Sequence, residues 1–339
     1  MVNTLRQLTD GHKLQDATRN IQLIQHVISW VDDTVNKESL LHQSTLQDKL
    51  QALQHTSIQW RRILHVTGGD LELSKTVVYL IDYVFSQGGT LPHLSPKHKT
   101  PGTILIPAEG PSEKDSIISR NEPCQAERYV GVRIAPNGQM ETEYKYRLKQ
   151  SKELGLRIAQ AHLTRPEATL AFHSRWLSII GFYLPITCFS RKQCETIQTP
   201  IYQAILPKLG YNQHIPLAIR YEPTCYGGAA LPHTYTEEII KHIQYVTGTL
   251  RQKTELSQKT TIALSHLQIM IGSSKLFLNL PQSKYNHLSQ QSRHIFLWDI
   301  SNECNITYTI DSVYIPPLMR IGDRSLMDIF IEKRLGNSA

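Results

Sequence analysis

A pair of adjacent aspartates between two short apolar runs is the feature that most limits how this chain can fold. Asp32 and Asp33 follow the mainly apolar residues 27–31 and precede Thr34 and Val35. Valine and isoleucine favour strands, whereas Asp-Asp is a poor strand interior and a good tight turn. The sequence therefore predicts a β-hairpin with the acidic pair at its tip. Such a bend brings both carboxylates near one ligand, and Mg²⁺ prefers oxygen donors of this kind. A solvated turn is the alternative interpretation.

The overall composition indicates a globular protein with a polyanionic partner. The chain has 339 residues, enough for two domains or one large one, and 40% of them are hydrophobic, enough for a sizeable core. The net charge of +7 and the pI of about 9.1 favour nucleic acid as a partner, although many soluble proteins are mildly basic.

The cysteines and the apolar runs indicate the cellular compartment in which the protein is expected. Five cysteines are scattered without a Cys-X-X-Cys pair, which favours free thiols in a reducing environment. The expected location is therefore intracellular, with cytoplasm and nucleus both open. Residues 1–9 lack the apolar segment of a signal peptide. The most apolar run, residues 176–189, is shorter than the roughly 20 residues of a spanning helix, so no membrane partner is expected.

The first 140 residues show mixed helical and strand patterns. Apolar residues recur at helical spacing over residues 37–64, and the Thr-Gly-Gly sequence at residues 67–69 is typical of a helix end. Residues 76–81 and 104–106 are predicted to be strands. Alternation over residues 128–134 predicts a further single strand.

Helical patterns dominate from residue 141 onward. Helices are predicted over residues 141–162, 171–184, 191–209, 236–252 and 256–271, with Thr164 as a helix cap. The pattern then changes: strands are predicted at 293–298 and 306–314, and a last helix at 325–334.

A basic face lies on the first of these helices. Lys145, Lys149 and Lys152 share one side of it, beside an apolar side. This arrangement suits a helix that packs on a domain and contacts phosphates of a nucleic acid. A solvated lysine face is an equally open alternative.

Taken in order, these features resemble the C-terminal half of a reverse transcriptase from a retrotransposon-like element without long terminal repeats. The palm of that family carries a Tyr/Phe-X-Asp-Asp hairpin, matched here by Trp-Val-Asp-Asp at residues 30–33. A later glycine turn and lysine are matched by residues 67–75. A Tyr-Leu-Gly-Val segment is matched by Tyr-Val-Gly-Val at residues 129–132, and the helical thumb by residue 141 onward.

The resemblance implies roles for particular residues. Asp32 and Asp33 would hold Mg²⁺ and serve nucleotidyl transfer, and Lys75 would protonate the leaving pyrophosphate. Tyr129 and Gly131 would lie near the primer end. The implied partners are an RNA template and a DNA primer.

Two departures from the family limit the expected activity. Trp30 replaces the usual tyrosine or phenylalanine before the acids. The family's fingers, first palm aspartate and Gln-Gly motif should precede the hairpin, and residues 1–25 do not resemble them. Phosphoryl chemistry with two metals needs carboxylates from both palm strands. We therefore expect an incomplete site that depends on a missing N-terminal polymerase fragment.

The predicted fold class is α+β: a truncated polymerase palm at residues 1–140, a mainly helical thumb-like region at 141–255 and a small mixed region at 256–339. The predicted function is that of a fragment of an RNA-directed DNA polymerase that binds template and primer. A non-catalytic nucleic-acid-binding relic or domesticated protein is the alternative. A hydrolase has little support, because the sequence contains neither Gly-X-Ser-X-Gly nor His-Glu-X-X-His.

Overall fold

The computed structural model of the chain is mixed α and β, which confirms the broad α+β class. Short hairpins occupy its N-terminal part and helices its C-terminal part. For some strand residues, among them Trp30 and Asp33, only the backbone is described. The structure describes residues 7–9, 11–16, 18, 20–25, 27–30, 33–37, 45–85, 92–108, 114–288, 292–317, 322, 324 and 326–333.

The strands form antiparallel pairs, and each pair described is a two-stranded sheet of its own. An isolated hairpin is marginally stable in water, so these pairs depend on the elements packed against them. The pairs are β1 (His12–Gln15) with β2 (Gln22–Gln25), β3 (Val27–Trp30) with β4 (Asp33–Asn36), β5 (Tyr83–Phe85) with β6 (Pro92–Leu94), β7 (Thr103–Ile106) with β8 (Ser116–Ser119), and β9 (Glu127–Tyr129) with β10 (Val132–Ile134).

The hairpin predicted around the acidic pair is present as β3 and β4. Trp30 is paired with Asp33. Asp33 is therefore the first residue of β4. The prediction that both aspartates form the tip is therefore wrong for Asp33, and Asp32 lies outside the described residues.

The first long helix, α1 (Leu46–Val66), confirms the helical pattern and its predicted end. Thr45 caps it: the Thr45 N–H donates to Asp48 Oδ2 at 2.8 Å, and the Thr45 hydroxyl oxygen accepts from Asp48 N at 3.2 Å. The helix ends at Val66 with Thr67 as its C-cap, and Gly68 follows with a positive φ of 80°.

The strand predicted at residues 76–81 is largely wrong. A 3₁₀ turn spans Leu73–Lys75, and after it only Val78 forms a bridge, to Arg120. The Arg120 side chain donates through Nη2 to Leu80 O at 3.2 Å. The Leu80 carbonyl, which could otherwise pair with a neighbouring strand, is therefore bound by a guanidinium group. The strand pairing does not extend beyond the bridge at Val78.

A small core joins α1 to the β7–β8 hairpin. Ile104, Ile106 and Ile118 are buried on its inner face and pack with Val78 against leucines of α1. The strand predicted at residues 104–106 is thereby confirmed. Burial of this one face stabilises a hairpin that would not persist alone.

The single strand predicted over residues 128–134 is wrong, because the chain reverses in its middle. Val130 and Gly131 have positive φ values of 48° and 83°, and Val132 is paired with Tyr129. Two consecutive residues with positive φ form the tight turn that suits the twist of a hairpin. Alternation of side chains is the same in a hairpin and in one strand, so the sequence pattern does not distinguish them.

The helices expected between residues 141 and 271 are confirmed, and so is the cap at Thr164, which forms a capping box with Glu167. A π-helical segment, Phe172–Leu177, joins two of them. The helices are α2 (Glu141–Gln160), α3 (Arg165–Ala171), α4 (Ser178–Tyr183), α5 (Arg191–Lys208), α6 (Leu217–Tyr221), α7 (Thr234–Arg251), α8 (Glu255–Ile271), α9 (Arg293–Glu303) and α10 (Leu326–Glu332).

The strand predicted at residues 293–298 is wrong, since α9 occupies that stretch. Its aromatic and β-branched residues favour strands locally. Ser292 caps the segment by accepting from Ile295 N at 3.3 Å, and Trp298 packs edge-on against Phe277 at 5.2 Å. Capping and burial therefore outweigh the local preference.

The strand predicted at residues 306–314 is also wrong. The backbone of Tyr308 bonds to a side chain, not to a neighbouring strand: Tyr308 N donates to Asn279 Oδ1, and Asn279 Nδ2 donates to Tyr308 O, both at 2.8 Å. The last predicted helix is confirmed by α10.

One continuous hydrophobic core runs through the C-terminal part. It extends from Val132 of β10 to Val313, and its largest buried side chains include Trp176 and Trp298. The β9–β10 hairpin is thus attached to the helices. No helix in the described part of the chain is long and apolar enough to cross a membrane.

Candidate nucleic-acid interface

A buried glutamate fixes the β9–β10 hairpin to the start of α2. Glu143 is fully buried, and its carboxylate accepts from Arg133 N at 2.9 Å and from Arg147 Nε. Arg147 also donates through Nη2 to Gly131 O at 3.0 Å. The tip of the hairpin is therefore held to the helix by charge-assisted hydrogen bonds, which are about twice as strong as neutral ones.

Two aromatic rings stack on the arginines of this junction. The Arg133 guanidinium lies 3.4 Å from the ring centre of Tyr146, and that of Arg147 lies 4.5 Å from the ring centre of Tyr183. Stacking of this kind stabilises a cation and fixes its plane. The Arg133 side chain is 25% exposed, so one positive charge of the junction remains at the surface.

The turn of the hairpin requires glycine at residue 131 for two reasons. Its φ of 83° lies in the left-handed region that side chains disfavour. A Cβ atom there would also lie 3.2 Å from Cε1 of Phe182. Tyr129 and Gly131, the two predicted primer-binding residues, therefore lie on one rigid turn, with Tyr129 half-buried.

The predicted basic face is present on α2, but it is partly neutralised. Lys145, Lys149 and Lys152 are all exposed. The Nζ of Lys145 lies 3.4 Å from Glu141 Oε1, and that of Lys149 lies 3.9 Å from Glu153 Oε1. Lys152 has no ion pair among the residues that the structure describes. Exposed pairs of this kind contribute roughly 0.3–0.5 kcal/mol each, so a phosphate competes readily for these lysines.

The structure does not bring Lys75 to the acidic hairpin by any contact within the described residues. Lys75 is exposed at the end of its 3₁₀ turn, and the charge it faces is Glu72. The pKa of Glu72 lies below its usual value, first because of the Ser74 hydroxyl and then because of Lys75. Lys75 as a proton donor stays a prediction.

The predicted Mg²⁺ site at Asp32 and Asp33 falls outside what the structure describes, because Asp32 and the Asp33 side chain are not described. Among the described residues, no three His, Cys, Asp or Glu side chains come together as a metal ion would require. Mg²⁺ stays a prediction, and we derive no step of the chemistry through it.

A second buried glutamate, on α7, is one that the sequence did not reveal. Glu238 is fully buried and accepts from Phe189 N at 2.9 Å, Cys194 Sγ at 2.9 Å and Thr187 Oγ1 at 3.1 Å. All three donors are neutral, and burial raises the pKa of the Glu238 carboxyl to about 7. The only signal in the sequence was the position of Glu238 among the apolar residues that repeat along one face of α7.

His242 completes this buried cluster one turn later on α7. Its Nε2 lies 2.5 Å from Thr187 O, and burial, together with the charge of Arg293, lowers its pKa to about 4. Arg293 in turn donates to Pro185 O. The cluster binds the segment between α4 and α5 from several sides and is closed to solvent, so we interpret it as structural.

Comparison of the chain with models of protein families, with curated proteins and with solved structures finds no match. The functional interpretation therefore depends on the motifs of the sequence and on the geometry of the β9–β10 junction. Sequence reasoning missed the residues that hold this junction, Arg133, Glu143 and Arg147. The spacing of Glu143 and Arg147, four residues apart on a helix, was the available signal.

Proposed function

We propose that this chain is part of an RNA-directed DNA polymerase of a retroelement, and that its helical region binds a template–primer duplex. One observation carries the proposal. The turn at Gly131 is locked through Glu143 and Arg147 to the same helix that presents the three exposed lysines. Glu143 and Arg147 lie on the buried side of α2 and the lysines on its opposite side, so the helix that presents the basic face is held in place from behind.

The dimensions of this surface suit a nucleic-acid strand. Lys145 and Lys152 are separated by about 10 Å along the axis of α2, which corresponds to roughly three phosphate steps of one strand. Binding of this kind is directed at phosphates and should not depend on base sequence.

The direct test is binding of the 339-residue chain to an RNA–DNA hybrid at increasing salt. Each phosphate contact adds about 0.9 to the slope of log K against log salt, so replacing Lys145, Lys149 and Lys152 together by glutamine should reduce the slope by up to about 2.7. Fluorescence anisotropy with a labelled hybrid measures both affinity and slope.

A matched control variant distinguishes binding by this lysine face from binding through the overall positive charge of the chain. Lys99, Lys192 and Lys253 are exposed lysines elsewhere in the chain, and their joint replacement by glutamine removes the same charge. We expect this control to bind nearly as the unmodified chain does. Equal losses in the two triple variants would contradict the proposed interface.

We further propose that Asp32 and Asp33 serve Mg²⁺-dependent nucleotidyl transfer, with Lys75 as the proton donor. Because residues 1–25 do not resemble the fingers or the first palm strand of that family, we expect no primer extension by this chain alone. Extension should appear when a fragment with the fingers and the first palm strand is added, and Asp32→Asn should abolish it. Binding without extension under both conditions would favour the alternative, a non-catalytic nucleic-acid-binding protein.

A further inference from the structure

The segment that connects α4 to α5, residues 184–190, forms neither helix nor strand and is held in place by side chains. Three hydrogen bonds fasten its backbone to α7 and α9: Phe189 N donates to Glu238 at 2.9 Å, His242 Nε2 donates to Thr187 O at 2.5 Å, and Arg293 donates to Pro185 O. A segment that is fastened in this way can open while the helices around it stay folded.

The most costly of these fastenings to ionise is the Glu238 carboxyl group. It is fully buried, and its two other donors, the Thr187 hydroxyl at 3.1 Å and the Cys194 thiol at 2.9 Å, are neutral. No cation among the described residues forms an ion pair with it. A buried charge without a cation is costly, whereas a neutral carboxyl group with hydrogen bonds costs much less. The neutral acid also keeps its partners, since its proton can be donated to the Cys194 sulfur.

The other ionisable groups around Glu238 keep their charge between pH 5 and pH 8 in the folded protein. They are Tyr183 of α4, Cys188 of the segment, Cys194 of α5, His242 of α7, and Arg293 and His294 of α9. Burial raises the pKa of the tyrosine and of both thiols, and it lowers the pKa of both histidines to about 4. The arginine stays charged. Glu238 is therefore the group of this cluster that titrates in the range, because burial raises its pKa from 4.5 to about 7.

Opening of the segment would give the ionised carboxylate access to water. It would also take Phe189, which is fully buried and packs edge-on against Tyr144 of α2 at 6.1 Å, out of the core. The loss of this apolar contact keeps the open form rare while Glu238 is neutral. The closed form binds the proton more tightly than the open form does, so the open fraction rises as the pH rises from 4.5 to 7 and then levels off.

We propose that residues 184–190 form a proton-controlled latch, which neutral Glu238 holds closed and ionised Glu238 releases. The latch is a property of the folded chain without a ligand, so it goes beyond the proposed function and does not depend on it. Release would remove Phe189 from the support of α2.

The first experiment is hydrogen exchange of the 339-residue chain at pH 5, 6, 7 and 8, with mass spectrometry of peptides that cover residues 184–190. Dividing the exchange rate of an unstructured peptide at the same pH by the measured rate gives the protection factor. Relative to Glu238→Gln, the protection of the segment should fall about 50- to 100-fold between pH 5 and pH 8. The comparison cancels the effect of both histidines, which the two proteins share. Glu222→Gln, at an exposed position, should behave as the unmodified chain does.

Urea distinguishes the latch from global unfolding. Local opening exposes little surface, so low urea should hardly change exchange in the segment, whereas it should strongly accelerate exchange in peptides from residues 195–206 of α5. Equal urea slopes in the two regions would show global unfolding only and overturn the latch. The same protection in the unmodified chain and in Glu238→Gln at every pH would also overturn it.

Alkylation of Cys194 gives a second readout. Cys194 is fully buried beside Glu238, whereas Cys225 of the same chain is exposed, so the ratio of their rates with iodoacetamide reports opening. Between pH 6 and pH 8 this ratio should rise about ten-fold more in the unmodified chain than in Glu238→Gln. Glu238→Leu, which has an apolar side chain of similar size, serves the same comparison if the glutamine variant does not fold. The same pH dependence of the ratio with and without the carboxyl group would contradict the proposal.

Discussion

Replacing Glu238 by glutamine removes an ionisable group from the core while keeping its size and shape. The glutamine oxygen can still accept from Phe189 N, which now donates to Glu238 at 2.9 Å, and from the hydroxyl of Thr187. The variant therefore isolates the free energy of ionising one buried carboxyl group. Stability should rise on substitution at high pH and change little at low pH.

The magnitude follows from the pKa of Glu238. Burial raises that pKa from 4.5 to about 7, so the folded protein binds this proton more tightly than the unfolded chain does. The free energy of unfolding contributed by Glu238 is thus retained below about pH 4.5 and lost as the pH rises through 7. Between pH 5 and pH 8 the loss is roughly 2–3 kcal/mol.

The measurement is urea unfolding of both proteins at pH 5, 6, 7 and 8, followed by circular dichroism. His242 and His294 both have pKa values lowered to about 4, so their contribution runs in the opposite direction below pH 6.5. Both histidines are present in the two proteins, and their effect cancels in the difference. Glu222→Gln, at an exposed position, controls for the loss of one negative charge.

The reasoning predicts that the stability difference between Glu238→Gln and the unmodified chain grows with pH. A difference that is constant from pH 5 to pH 8 would refute it. Such a result would mean that the three neutral donors to Glu238 stabilise its carboxylate as well as water does.

Two other predictions follow from the surface ion pairs of α2 and from the hydrogen bonds between Asn279 and Tyr308. Replacing Glu141 and Glu153 together by glutamine should release two lysines of α2 and tighten binding to the hybrid at low salt by a few-fold, measured by fluorescence anisotropy. Unchanged affinity would show that these lysines do not contact phosphates. Asn279→Ala should lower the free energy of unfolding by about 1–3 kcal/mol, since both of its hydrogen bonds to the backbone of Tyr308 are lost, and urea unfolding measures this. Asn279→Asp keeps only the acceptor oxygen, so its free energy of unfolding should lie between those of Asn279→Ala and the unmodified chain.

The sequence predicted most helices correctly because their apolar faces repeat at a regular spacing. It also predicted the β3–β4 hairpin, since two aspartates interrupt a run of strand formers. The strand predicted at residues 128–134 failed at a local turn, and two other errors occur where a distant residue decides the local structure. The backbone near Tyr308 bonds to Asn279, and α9 forms around the burial of Trp298, and neither partner is near in sequence.

The candidate interface was predicted only in part. The lysines of α2 were found from their spacing, and Tyr129 and Gly131 from the resemblance to a known motif. The glutamates that neutralise two of the lysines were visible at a spacing of four residues, but their effect was not recognised. The contact between Phe182 and Gly131 could not be predicted, because it joins residues 51 positions apart.

The membership of Val132 in the helical core has a consequence for how this protein could change over generations. The boundary between the small core of α1 and the larger core of the helices lies upstream of the β9–β10 hairpin. Mutations that damage the smaller core would leave the hairpin, its glutamate and its arginines in place. The N-terminal part could therefore decay over generations while the junction of Gly131, Glu143 and Arg147 is retained.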